Sequence, residues 1–384
     1  MSLNNPKNKF LNIIGSYKLS VIILIFLLLV VLFGTLAQTE KGIYEVQKKY
    51  FTSIFLVHWL FATIPIPLPG GGLLLVLMLI NLFVGGIILA PKSIKRPGML
   101  IAHSGVILLI IGGFWGHIWG KEGTVSLFEG ETENTIESPQ NWEIYIWQIA
   151  EDSGVPIKEW VINEKQFSFL KGGLSKTFYS NELPFKLTLM RYYRNAEPHL
   201  AVPGAEGSIQ GVYLAPLTPE INEEKNLPGV YVEISSPSGN QISLLWGGEK
   251  SPWVVKVGAN NFAIGLRRVR EPLPFQIKLI KFTKEFYPRT NKPKFFSSEV
   301  ICKSNIWEQR AIIKMNEPLR FMGYTIYQAS WGYAQTGNGI RDFSVLAISQ
   351  NPAEKIPLLS CLIISAGLLI HFTQKLFRYI RTAK

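Results

Sequence analysis

Cysteine is scarce in this 384-residue chain. Cys302 and Cys361 are the only two, and they form no CxxC pair. That excludes a thioredoxin-like redox site, a zinc ribbon and a covalently attached c-type haem. Cys361 lies in an apolar run and Cys302 in a polar block, so no internal disulfide is expected. The usual catalytic signatures are missing as well: there is no GxSxG, HExxH, Walker loop or GxGxxG. A small-residue cleavage site is also missing after the first apolar run, about Leu19–Leu32, which follows Lys7, Lys9 and Lys18 and leads into "FGTLAQTE". That run reads as an uncleaved anchor.

Charge is nearly absent from four stretches long enough to cross a bilayer: Leu19–Ala37, Leu73–Leu89, Met99–Trp119 and the shorter Ile356–Phe372. The apolar stretch "YFTSIFLVHWLFATIPIPLPGGG" is interrupted by Pro65, Pro67 and Pro69, which stop a helix and assign it to the interface. The formal charge of +12 is unevenly placed. Lys121–Lys355 holds 26 basic and 25 acidic residues, whereas the rest of the chain holds 13 basic and two acidic ones. Nucleic-acid binding would put the excess on a folded domain. Here it flanks the apolar runs: the N-terminal lysines, then Lys92, Lys95 and Arg96, then Lys375, Arg378, Arg381 and Lys384. The positive-inside rule puts all these flanks, and both termini, on the cytoplasmic side, with the mixed-charge loop Glu40–Lys49 and Gly120–Lys355 outside. The expected organisation is a membrane protein of α+β class. Residues 1–120 form a membrane region with three helices, 121–355 a β-rich, sandwich-like extracytoplasmic domain, and 356–384 a fourth transmembrane helix with a basic tail.

The outer block reads as strands. "GVYVEISSPSGNQISLLWGG" and "WVVKVGANNFAIGLRRV" are each two alternating runs around a turn. Glu182–Pro198 and Pro272–Pro288 share a Leu-Pro-Phe start, alternating apolar residues and a closing proline at an offset of 90. Two related β-layers would produce this, and so would two amphipathic strands alike by chance.

Five histidines are present: His58, His103, His117, His199 and His371. An imidazole inside a bilayer is costly and usually faces a partner, a cavity or a cofactor. His103 stands about 6 Å into the third span, next to small residues Ser104 and Gly105 that permit close approach. His371 lies toward the end of the fourth span at a similar depth on the same side, so the two could ligate one b-type haem between helices. Its position near the membrane surface favours the other reading of His371, an interfacial residue that snorkels to headgroups. His117, between Trp115 and Trp119, reads as an aromatic-belt residue, His58 as an interfacial anchor beside Trp59, and His199 as an exposed loop residue.

Four stretches resemble the ResB (CcsB) family of cytochrome c biogenesis proteins. They are "SYKLSVIILIFLLLVVLFGTLAQTE", "GMLIAHSGVILLIIGG", "LPFQIKLIKFTKEFYPRTNKPKFFSSEV" and, most specific, "KMNEPLRFMGYTIYQASW". The resemblance implies a subunit of a System II haem-export and cytochrome c synthase complex in the bacterial plasma (inner) membrane. Its partners would be a tryptophan-rich CcsA (ResC) membrane protein and apocytochrome c, with haem b bound or carried transiently. It also implies that His103 is an axial ligand of the haem iron, paired with a histidine of the partner; this role does not extend to His371. The partner's tryptophan-rich motif is absent, so the chain is not a fused synthase and is not expected to catalyse haem attachment alone. The competing reading is a membrane-anchored binding or sensor protein without haem.

Overall fold

The computed structural model describes residues 6–61, 63–90, 97–150, 155–201, 207–290, 292–337 and 339–382. The basic loop Lys92, Lys95 and Arg96, and Lys384, lie outside the described residues. Two compact units emerge: a helical unit, Met1–Lys121 with Gln350–Lys384, and a β unit, Glu122–Ser349.

The helical unit begins with α1 (Pro6–Ile14) and α2 (Tyr17–Val46). The two are separated at Gly15–Ser16, where the Ser16 hydroxyl accepts the Leu19 N–H at 3.3 Å and caps α2. Next come a π-turn (Gln47–Thr52) and the hairpin β1 (Phe55–Leu60) with β2 (Ile64–Pro69). α3 (Gly71–Phe83) closes in a second π-turn, Val84–Ile88, and α4 (Pro97–Trp119) and α5 (Ile356–Thr382) complete the unit. Among the described residues, four stretches are long and apolar enough to cross a membrane: Tyr17–Thr52, Gly71–Ile88, Pro97–Trp119 and Ile356–Thr382. Leu28 and Leu369 are about two-thirds exposed on them, an arrangement that an apolar solvent would stabilise.

The expected outer loop Glu40–Lys49 is helical instead, bent at Gly42 (φ 75°). The fourth helix runs ten residues past Phe372, because "TQKLFRYIRT" keeps helix-forming residues and no breaker. The proline-rich stretch does not span. Its alternate prolines sit on β2, paired to β1 from Phe55↔Pro69 to Leu60↔Ile64.

The β unit has two sheets that matter. The strands run β3 (Lys121–Phe128), β4 (Thr132–Ile149), β5 (Pro156–Asn163), β6 (Ser175–Phe178), β7 (Lys186–Tyr193), β8 (Ala196–Leu200) and β9 (Val212–Pro216). They continue with β10 (Gly229–Ser236), β11 (Gly239–Trp246), β12 (Trp253–Val257), β13 (Asn260–Phe286), β14 (Pro293–Lys303) and β15 (Glu308–Lys314). β16 (Leu319–Phe321), β17 (Tyr324–Thr336) and β18 (Gly339–Gln350) end the unit. A four-stranded sheet has the order β11-β10-β7-β6. A ten-stranded sheet has the order β15-β14-β13-β4-β3-β18-β17-β16, with β12 on β13 and β5 on β4. Both hairpins read from the sequence form, β10–β11 closing at Ser236↔Gly239 and β12–β13 at Val257↔Asn260.

Beside a smaller cluster of Ala196, Leu214 and Tyr231, the two largest apolar cores follow from alternation along these strands. One packs Leu187, Leu189, Val230, Val232 and Ile234 of the small sheet against Ile144, Ile146, Phe262 and Ile264. The other is filled by Leu127, Phe275, Ile277, Leu279, Val300, Phe321 and Ile326. β13 serves both, and it changes core at the Leu273-Pro274-Phe275 motif. There its register on β4 jumps between Pro272 and Ile277, because prolines cannot donate to the ladder and are tolerated at a bulge. The segments alike at an offset of 90 occupy matching phases: Phe185, Leu187 and Leu189 in one core, Phe275, Ile277 and Leu279 in the other. Their strand partners differ, β6 and β10 for the first and β14 and β4 for the second.

Candidate functional site

The helical unit is assembled on glycines. α4 buries Gly98, Ala102, Gly105 and Gly112 along one stripe. A Cβ at Gly98 would stand 2.5 Å from the Gly367 carbonyl oxygen and the His371 N, and one at Gly105 would stand 2.7 Å from Ile364 Cγ1. Small residues at this spacing let α5 approach α4 closely. Met99, His103 and Val106 follow that stripe by one residue, about 100° around the helix, and so face elsewhere.

They face a half-open cavity of about 520 Å³ bounded by the start of α2, the end of α3 and α4. Its walls are largely apolar, including Leu24, Leu27, Met78, Leu82 and Met99. Asn81, almost fully buried, secures one side. Its Nδ2 donates to the Ile14 and Ser16 carbonyls at 2.6 and 3.2 Å, and its Oδ1 accepts from the Ser20 hydroxyl at 2.6 Å. These bonds satisfy the amide and tie α3 to the α1–α2 break, where Gly15 and Gly85 pack backbone to backbone. A volume of this size, apolar with a few fixed polar groups, is what cofactor-sized ligands occupy.

His103 is half-buried in the cavity wall, and its Nδ1 lies 3.4 Å from the Gly86 carbonyl oxygen. A donor bond from Nδ1 to a backbone carbonyl orients an imidazole so that Nε2 is its basic nitrogen, the usual arrangement for a metal-ligating histidine. The residues present therefore fit an axial ligand of a haem iron.

His371 is not brought to this cavity. The glycine packing sets its backbone beside Gly98, five residues and about 7.5 Å along α4 from His103. It stands in mid-helix against Phe372, with ring centroids 5.6 Å apart, so the matched depth expected from helix ends does not hold. His117 is exposed between Trp115 and Trp119, whose rings meet at 6.0 Å. His199 lies on strand β8 rather than in a loop, opposite Tyr213 and 3.7 Å from the Glu197 carboxylate. His58 is more embedded than an interfacial anchor: it stacks on Phe33 at 4.2 Å, and its Nδ1 is 2.6 Å from the Tyr50 hydroxyl. The contact joins α2, the first π-turn and β1, which no local sequence signal reveals.

In the β unit, chemistry-bearing residues are consumed by structure. Cys302 is buried, and burial pushes its thiol up to about 12, leaving no reactive thiolate at neutral pH. Arg267 bonds Glu143 and Glu159 at 2.8 and 2.7 Å, and Arg270 bonds Glu137 at 2.9 Å. Arg268 lies 4.2 Å over the Trp142 ring and donates to the Pro139 and Glu224 carbonyls. The most specific motif is built of turns. Asn316 takes φ 65°, and Met322 and Gly323 both take positive φ in the two-residue turn of a type I′ hairpin at Phe321↔Tyr324. Its Gln328 reaches the second core and donates to Ser344 at 2.9 Å, which in turn shares a 2.7 Å bond with Ser298 of the "FFSSEV" stretch.

No curated protein matches the chain. One family model does: residues 239–341 match the ResB-like family. The matched region covers β11–β17 and the start of β18, including the β13, β14 and β16–β17 motifs, and ends far from His103 in sequence. This chain thus carries a ResB-like region at residues 239–341, the family its motifs resemble, and that family points to cytochrome c biogenesis.

Proposed function

We propose that this protein handles haem during cytochrome c biogenesis. As a subunit of a haem-export and cytochrome c synthase complex, it would pass haem across the bacterial plasma membrane for thioether attachment to apocytochrome c. The observation that carries the reading is His103, which lines an apolar cavity between candidate membrane helices with its Nδ1 engaged by a carbonyl. The second axial ligand comes from a tryptophan-rich CcsA-type partner, since His371 does not share the cavity. Both termini face the cytoplasm, so the basic flanks lie where haem is made. His103 and the apolar walls of the cavity would hold the haem while the β unit would hold apocytochrome outside, a task of positioning rather than of bond-making by this chain.

Deleting the gene in its host tests the reading. Loss of covalently haem-stained c-type cytochromes, restored by the intact gene, is expected; normal cytochromes after deletion would overturn it. The second reading, a membrane-anchored binding or sensor protein without haem, draws on a smaller cavity in the β unit. That cavity is about 280 Å³ and is lined by Tyr145, Trp246, Trp253 and Glu249 among others. It predicts normal c-type cytochromes in the deletion strain.

A further inference from the structure

The end of α3 contains an unusual backbone feature next to His103. The helix widens into the π-turn Val84–Ile88, in which the Leu89 N–H bonds the Val84 carbonyl at 2.8 Å, and then stops. π-turns inside helices recur at functional sites. Gly86 falls in this last turn, where carbonyls run out of helical donors. The residue five positions on is Pro91, which has no N–H to offer. Gly86 is buried, and a buried carbonyl needs a donor. The donor the structure supplies is the His103 imidazole, Nδ1 to Gly86 oxygen, 3.4 Å.

The same residue shapes the seat of the ring. A Cβ at Gly86 would stand 2.6 Å from His103 Nδ1 and 3.1 Å from its Cγ, so a side chain larger than hydrogen displaces the imidazole. Gly85 next to it does a different job: its Cβ would meet the Gly15 backbone and not the histidine.

We infer that Gly86 is a positioning residue for His103. Its carbonyl, released by the π-turn and the proline that follows, holds the imidazole as the Nδ1–H tautomer. Its lack of a side chain leaves room for the ring, so Nε2 is presented as the ligand nitrogen. The inference rests on the haem reading for its purpose, but the tautomer is a property of the chain alone.

The test uses the full chain in lipid nanodiscs without haem, labelled with 15N in its histidine rings, at about pH 8 where an imidazole is neutral. The His103 signals are assigned by their disappearance in His103→Ala. The expected result is one tautomer, with a protonated Nδ1 and a pyridine-type Nε2, kept in Gly113→Ala, where a Cβ on the helix of His103 meets open space, and lost in Gly86→Ala. An Nε2-protonated His103 in the unaltered chain overturns the inference, even if neither variant folds; so does a Gly86→Ala chain that keeps the Nδ1–H signature. Haem supplied to the unaltered chain together with its tryptophan-rich partner then separates the two ideas. The expected tautomer without a His103-dependent Soret band refutes the haem reading while leaving the hold of Gly86 on the ring intact.

Discussion

Arg267→Ala removes a heavily used cation of the β unit, and its cost can be worked from contacts. Arg267 Nε and Nη2 bond Glu143 Oε1 at 3.0 and 2.8 Å, and Nη2 also bonds Glu159 Oε1 at 2.7 Å. The guanidinium covers the Tyr145 ring at 4.6 Å and the Trp147 ring at 5.5 Å. Glu143 has a side chain only 8% exposed and Glu159 one 43% exposed, so truncation strands Glu143 in a poorly solvated place while Glu159 returns to water. Breaking a buried pair by removing one partner costs about 3–5 kcal/mol, mostly from the charge left behind. In a unit of this size that lowers the melting midpoint by roughly 6–20 °C. The assay is near-UV circular dichroism of the full chain in detergent during heating, which reports on aromatic packing that includes Tyr145 and Trp147 beside Arg267. Glu143→Gln added to Arg267→Ala removes the stranded charge and should recover at least half the loss, an interaction visible in a double-mutant cycle. A loss under about 1 kcal/mol, the range of exposed pairs, or no recovery in the double variant, would refute the reasoning.

Two further predictions follow from packing and from a buried proton. Tyr192, buried with its hydroxyl donated to Glu164, has its pKa raised far above the ordinary value of 10.0, first by burial and then by the neighbouring carboxylate. The unfolded chain releases this proton near 10 while the folded chain retains it, so its contribution is whole below that pH and is lost as pH rises beyond it. Stability measured between about pH 9 and 11 should fall more steeply for the unaltered chain than for Tyr192→Phe, and equal slopes would contradict this. Gly105→Leu forces a side chain against Ile364 on α5 and should destabilise the helical unit by about 1–3 kcal/mol in thermal melts. Gly113→Leu on the same helix meets open space and should cost nothing measurable.

Periodicity made much of this fold legible. Four apolar runs mark the spanning-length helices, and turn residues mark hairpins such as Ser236–Gly239, because both signals are local. What the local pattern missed is set by distant partners. The loop Glu40–Lys49 looks like a break because of its charges, yet nothing in it stops a helix until Gly42 bends it. His371 seemed level with His103 when depth was counted from helix ends; glycine packing at Gly98 and Gly367 fixes the actual offset. His103 itself stood out from one principle, the cost of an imidazole in an apolar helix. Its neighbour Gly86 did not, since a helix-terminal carbonyl and a π-turn leave almost no trace in sequence. Gln328, Ser298 and Ser344 likewise meet only through the curl of the large sheet.

The central claim is that His103 ligates haem iron from the wall of the α2–α3–α4 cavity. Its most direct measurement is the haem content and absorption spectrum of the full chain purified with its partner, compared for the unaltered chain, His103→Ala and His371→Ala. The account predicts that His103→Ala loses the b-type spectrum and regains it with added imidazole, while His371→Ala keeps it. Undiminished haem in His103→Ala would contradict the account.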